Sequence, residues 1–198
     1  MKIESIWMNE YKNPLKRKNK KVNDTDILII GGGITGLSCA YFLKDSNYQI
    51  TLLDKGKIGM GVTSRTTAKI NYLQGTIYQE LEKYYGLKKS KLYLESQLEA
   101  IHFIESIVKK EKIKCDLEKV DAFLYTNEEK NISKINKEME ILKGFDIKVG
   151  EVTFLPISEI PVLKGIVVSD TYVFHPLKYL LGLLKKVMDS VQIHEDTL

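Results

Sequence analysis

The chain has 198 residues, 43% of them hydrophobic, enough to bury the core of one ordinary domain or two small ones, which excludes collagen-like and disordered classes. Two cysteines, Cys39 and Cys115, and three histidines without ligand spacing, His102, His175 and His194, exclude a disulfide framework and a four-thiolate metal site. The formal net charge of +4 lies in residues 1–24, which carry seven basic and three acidic side chains, and the remaining 23 basic and 23 acidic residues cancel; a folded body without basic excess argues against a nucleic-acid groove.

In chain order, residues 1–24 read as a basic leader, with a solvated run at residues 16–21. Glu4 interrupts the apolar stretch that a signal peptide would need, and no apolar run approaches the ~18–20 residues of a membrane helix, so a cytoplasmic protein is expected. Residues 26–30 form a short apolar strand followed at once by Gly31-Gly32-Gly33-Ile34-Thr35-Gly36. Ile34, Leu37, Ala40, Tyr41 and Leu43 recur at helical spacing, and Cys39 in the same stretch reads as buried packing. Residues 49–54 form a second strand, which completes one βαβ unit whose central strand reads as buried on both faces.

Residues 55–69 form a long polar loop rich in glycine and threonine, the kind that is commonly functional. Amphipathic helices are predicted at residues 77–85 and 87–112, a strand at 122–126, a helix at 128–142 and a strand at 145–150. A loop bracketed by Pro156 and Pro161 follows, then a strand at 165–169, a helix at 175–188 with Pro176 in its first turn, and a last strand at 191–195.

In Gly31-x-Gly33-x-x-Gly36 each glycine has a mechanical reason. The first permits the strand-to-helix turn, the second lets a pyrophosphate approach the backbone, and the third lets helix and strand pack closely. Ile34 and Thr35 open the helix, whose free N–H groups attract an anion. Asp54 ends the next strand at the separation where a carboxylate accepts the hydroxyls of an adenosine ribose. Lys55 beside it suggests a 2′-phosphate, but the Asp54 carboxylate would repel one. The second loop adds the hydroxyls of Thr63, Ser64, Thr66 and Thr67 and their backbone N–H groups, enough to wrap a pyrophosphate and a ribityl chain. Arg65, one of two arginines in the chain, either bridges two loops or contacts the cofactor.

Residues 26–73, which pair this glycine loop with Gly61-Val62-Thr63-Ser64-Arg65, resemble the FAD-dependent oxidoreductases of the D-amino-acid oxidase type. Phe174-His175-Pro176-Leu177 and Ile193-His194-Glu195-Asp196-Thr197 are similar to that family's return to its cofactor domain. The resemblance implies an α/β fold: a Rossmann-type FAD-binding βαβ domain interrupted by an α+β substrate domain. Residues 25–80 and 171–198 would belong to the former and 81–170 to the latter. It further implies FAD as cofactor, a small-molecule amine or amino acid as substrate, and hydride transfer to the flavin. The implied cofactor contacts are Gly31, Gly33, Ile34, Thr35, Gly36, Asp54, Lys55, Thr63, Ser64, Arg65, Thr66, Thr67 and Ala68. Family members are considerably longer, so the C-terminal half of the fold is expected to be missing here, with a second chain as one way to complete it. In some relatives a Rieske-type domain follows. Two other readings stay open: a pyridine-nucleotide-binding Rossmann protein, and a non-catalytic remnant or partner subunit.

Overall fold

The structure is a computed structural model that describes residues 5–15, 24–156 and 159–197; the basic run at residues 16–21 lies outside the described residues. The chain forms two compact units.

The first unit comprises Met1–Ala68, Ile107–Leu117 and Phe174–Leu198. Its sheet holds β1 (Ile27–Ile30), β2 (Ile50–Leu53) and β7 (Val191–His194) in the order β1-β2-β7, all parallel. Between β1 and β2 runs α1 (Ile34–Leu43), and α5 (Pro176–Val187) precedes β7 and packs against α1. Residues 50–52 of β2 are buried on both faces, as expected of the central strand. β1 alternates instead: Leu28 is 50% and Ile30 83% exposed, because β1 lies at a sheet edge and only its Ile29 face meets α1.

Helix α5 buries Leu177, Leu180, Leu183, Leu184 and Val187, a stripe repeating every three to four residues. Its start is set by His175, whose Nδ1 accepts the Lys178 N–H at 3.3 Å, and by Pro176 in the first turn. In α1 the buried positions are Gly36, Leu37, Ala40 and Tyr41, and Cys39 points away from them, exposed, so the expectation of a buried thiol is corrected. Cys115 is the buried cysteine, and burial pushes its thiol up to about 11.

Residues 81–170 do not stay together, because Ile107–Leu117 joins the first unit. Ile113 fills the space over Gly182, where an added Cβ would lie 2.4 Å from it. The Tyr41 hydroxyl donates to Glu111 at 2.6 Å, and the His175 N–H donates to the Cys115 carbonyl at 2.7 Å.

The second unit comprises Lys69–Ser106 and Glu118–Val173. Its sheet is antiparallel: β4 (Glu118–Thr126) pairs along β6 (Lys164–Val173), and β3 (Lys69–Ile70) and β5 (Gly150–Val152) pair with different parts of β6. Helices α2 (Ile77–Tyr85), α3 (Leu87–Glu111, its last turn in the first unit) and α4 (Ile132–Gly144) complete the helical set. Gly86, at φ +81°, makes the break between α2 and α3.

The strand predicted at 145–150 is corrected: only Gly150 is in β5. The N–H groups of Phe145, Asp146 and Ile147 bond to carbonyls of residues 141–143, the last turn of α4, and so are spent on ending that helix instead of on a ladder.

Candidate functional site

The glycine turn is built as its spacing requires. Gly31 adopts φ +103°, a conformation that favours glycine, while its N–H donates to the Leu53 carbonyl at 2.7 Å. A Cβ on Gly36 would lie 1.9 Å from the Gly31 carbonyl oxygen, so helix α1 can approach the turn only without a side chain there. Gly33 is the N-cap of α1 and has no side chain to offer. The hydroxyl of Thr63 comes across from the second loop instead and accepts the Ile34 N–H at 3.3 Å.

Asp54 is held at the open end of this turn. Its Oδ2 accepts the Gly32 N–H at 2.7 Å and its Oδ1 the Gly56 N–H at 2.8 Å. On the backbone, the Asp54 N–H donates to His194 and the Asp54 carbonyl accepts from Thr197, so the end of β7 fixes the residue from the other side. Each carboxylate oxygen keeps acceptor capacity beyond these bonds.

In the second loop, a short 3-10 helix (Val62–Arg65) turns Thr63 and Ser64 inward. Thr63 reaches the glycine turn. Ser64 does not: it is fully buried and its hydroxyl donates to the Gly61 carbonyl at 2.9 Å. The Thr66 hydroxyl accepts the Ala68 N–H at 3.3 Å, and Thr67 is exposed. Ala68 is buried at φ +58°, a left-handed position that costs an alanine about 1–2 kcal/mol. Arg65 and Lys55 are exposed, and neither makes a hydrogen bond or ion pair among the described residues, so Arg65 does not bridge two loops. Thr35 is exposed on the first turn of α1.

Three residues central to this geometry were not singled out by sequence reasoning. Gly32 has no room for a side chain, since a Cβ would lie 2.1 Å from Ile58. Gly59, at φ +78°, donates its N–H to the Gly32 carbonyl at 3.0 Å and joins the two loops. Glu195 accepts the Ile58 N–H at 2.8 Å and the Lys57 ammonium at 3.1 Å. Asp196 and Glu195 hold the Lys57 ammonium above its ordinary range. The positive φ and the clash at Gly59 leave a trace in the sequence, a glycine inside a long loop, whereas nothing local marks Glu195.

Chemically, the arrangement offers an anion a helix N-terminus whose N-cap residue lacks a Cβ and whose first turn meets only a neutral hydroxyl. It offers neighbouring hydroxyls a fixed carboxylate. Among the described residues no cluster of His, Cys, Asp and Glu could hold a metal ion, and no helix is long and apolar enough to cross a membrane.

A family model described as FAD dependent oxidoreductase matches residues 26–198. YhfW of Bacillus subtilis (strain 168), whose name marks it as a candidate Rieske 2Fe-2S iron–sulfur protein, is 33% identical over 195 residues, covering 98% of this chain and 38% of YhfW. Gamma-glutamylputrescine oxidoreductase of Escherichia coli (strain K12) is 23% identical over 167 residues, covering 79% of this chain and 38% of that protein. The crystal structure of glycine oxidase from Geobacillus kaustophilus matches with a TM-score of 0.69 at 16% identity, covering 87% of this chain and 46% of that one. The chain spans less than half the length of each.

Proposed function

The chain belongs to the FAD-dependent oxidoreductase family, and from that membership we propose that it forms the ADP-binding part of a flavoenzyme that oxidises an amine or an amino acid. FAD is the family's cofactor, which sets aside the pyridine-nucleotide alternative. The substrate class draws its support from relatives: the names of gamma-glutamylputrescine oxidoreductase and glycine oxidase both point to oxidation next to an amine nitrogen.

One observation carries the assignment of the site: α1 begins at Gly33 with no cap of its own and only the Thr63 hydroxyl on its first turn, with Asp54 locked to Gly32 at 2.7 Å. Those residues fit the group. Gly31, Gly33 and Gly36, with the N–H groups at Ile34 and Thr35, would receive the pyrophosphate, and the Asp54 carboxylate the adenosine ribose hydroxyls. The second loop, Thr63 to Ala68, would close on the pyrophosphate and ribityl side, and the exposed Arg65 and Lys55 would meet it as charges. Residues of the second unit would belong to the substrate domain. Bound FAD supplies a two-electron acceptor for the hydride that leaves the carbon beside the amine. This chain's residues hold the cofactor in register and keep the ribose from shifting.

A second reading, a partner subunit that holds the cofactor without turnover, is favoured by the exposure of Leu28 and Ile30 on the face of β1 opposite Ile29, which a further layer of structure would cover.

Parallel calorimetric titration with FAD and NAD tests the cofactor. FAD is expected to bind more tightly, and Asp54→Ala to weaken it by about 1.5–3 kcal/mol, the range for hydrogen bonds to a charged group. Tighter binding of NAD would overturn the assignment. Anaerobic reduction of bound flavin by a panel of amines and 2-hydroxy acids tests the substrate class, and reduction by the hydroxy acids alone would sink it.

A further inference from the structure

The match to the family begins at residue 26, so the segment at residues 5–15 lies outside it. That segment is nonetheless bonded into the candidate site. Ser5 caps a 3-10 helix (Ile6–Glu10), its hydroxyl accepting the Trp7 N–H at 3.3 Å. Three side chains then reach across the chain: Trp7 Nε1 donates to the Thr66 carbonyl at 2.9 Å, the Tyr11 hydroxyl to the Ile58 carbonyl at 2.7 Å, and Asn13 Nδ2 to Glu195 Oε1 at 2.6 Å. The Trp7 indole also meets the His175 ring edge-on, with centroids 5.1 Å apart.

On the assignment of the second loop to the FAD site, we infer that Trp7 is a positioning residue of that site, which by holding the Thr66 carbonyl sets the direction of the Thr67 N–H offered to the cofactor.

The reason lies in the peptide unit. In a trans peptide the carbonyl and the following N–H point in opposite directions, so fixing one aims the other. Among the described residues no peptide bond is cis. The Ile58–Gly59 peptide illustrates the device at both ends: Tyr11 holds its carbonyl, and its N–H donates to the Gly32 carbonyl at 3.0 Å, so the segment presses the second loop onto the glycine turn. At the Thr66–Thr67 peptide only the carbonyl is held. The Thr67 N–H makes no hydrogen bond among the described residues and faces away from Trp7. A donor that is aimed and unspent is what an oxygen-rich ligand needs. Burial, and after it Glu195 and Asp54, push the Tyr11 phenol up to about 12, so it remains a hydrogen-bond donor through neutral and mildly alkaline pH.

Trp7→Phe keeps an aromatic ring at this position and removes the indole N–H together with the five-membered part of the indole. In the full chain, two quantities are measured: hydrogen exchange of residues 58–67 without FAD, and the rate at which bound FAD is released. The variant is expected to exchange those amides faster and to release FAD about three- to tenfold faster, the scale of one hydrogen bond. Tyr41→Phe removes a bond to Glu111 in the same unit and is expected to change neither, which separates aiming of the loop from general loosening. Unchanged exchange in Trp7→Phe overturns the inference. So does a loosened loop with unchanged FAD release, because Trp7 would then be structural only. If the unaltered chain fails to bind FAD, the site assignment falls and Trp7's role toward the cofactor falls with it, while the exchange data still report separately whether Trp7 holds the loop.

Discussion

Helices α1 and α2 both begin without a side-chain cap of their own, yet the protein treats the two ends in opposite ways. At α2 the vacancy is filled from within: Glu138 of α4, fully buried, accepts the N–H groups of Tyr78 at 2.9 Å and Gln79 at 3.0 Å, and the Gln79 side chain at 3.4 Å. At α1 the neighbour is a neutral hydroxyl, Thr63, at 3.3 Å, and among the described residues no carboxylate is bonded to the first turn. A helix start carries partial positive charge and unpaired donors wherever it occurs. Satisfying it with a buried carboxylate makes a structural joint, and leaving it to a hydroxyl keeps it available to an anion. Glycine at the N-cap of α1 is part of that difference, because the N-cap is where a protein that needed only a stable helix would place Asp, Ser or Asn.

The largest effect is expected from opening the closed end. Glu138→Ala strands the buried Tyr78 N–H and the part-buried Gln79 N–H and is expected to destabilise the second unit by about 1–3 kcal/mol for the buried donor, with a smaller addition from Gln79. Chemical denaturation followed by hydrogen exchange in residues 77–85 checks it, and a loss below 1 kcal/mol would mean that the carboxylate is not what closes α2.

A pH dependence sharpens the same point. Burial raises the Glu138 carboxyl above its ordinary value of 4.5, against the opposing effect of the Tyr78 and Gln79 N–H groups. The folded protein therefore holds this proton to higher pH than the unfolded chain does. Between 4.5 and the raised folded value the native state binds more protons, so Glu138 contributes a fall in stability as pH rises through that window and no slope above it. Glu138→Gln cannot titrate and is expected to lack that component when stability is measured from pH 4 to 8.

The smallest expected effect on stability comes from closing the open end. Gly33 already has N-cap geometry, φ −82° and ψ −171°, so Gly33→Asp is expected to change stability by only a few tenths of a kcal/mol. The Thr63 hydroxyl, 3.1 Å from the new Cβ, must yield slightly. FAD binding is nevertheless expected to be lost, since a carboxylate would occupy the phosphate position and repel a phosphate. Retained FAD affinity in this variant would break the comparison between the two helix starts.

Much of the α1 end was legible beforehand because its constraints are local. Three glycines at fixed offsets, a strand before, a helix after and Asp54 at the end of the next strand require no knowledge of distant contacts. The α2 end left a weaker trace. Glu138 falls on the buried stripe formed by Ile135, Met139 and Leu142, and a carboxylate on an apolar face signals a partner, but within a lysine- and glutamate-rich helix it reads as one more solvated charge. Cys39 departs from expectation for a related reason: periodicity gives the width of a buried stripe but not its edge, and Cys39 falls just outside it. The strand predicted at 145–150 failed because a short apolar run looks the same whether its N–H groups enter a ladder or end a helix.

Amino-acid order alone thus determined the βαβ unit, the backbone freedom needed at Gly31, the close approach at Gly36 and the placing of a carboxylate beside the turn, since each follows from sterics within a few residues. Only the tertiary structure decided where individual polar groups are spent. Ser64 turns its hydroxyl into its own loop while Thr63 extends toward α1, although the two residue types are chemically alike. Residues 107–117 rejoin the first unit, and Trp7 and Asn13 find partners 59 and 182 residues away. A hydroxyl, an indole N–H or a carboxylate carries no preference among such partners until packing brings one within about 3 Å and excludes the water that competes for it.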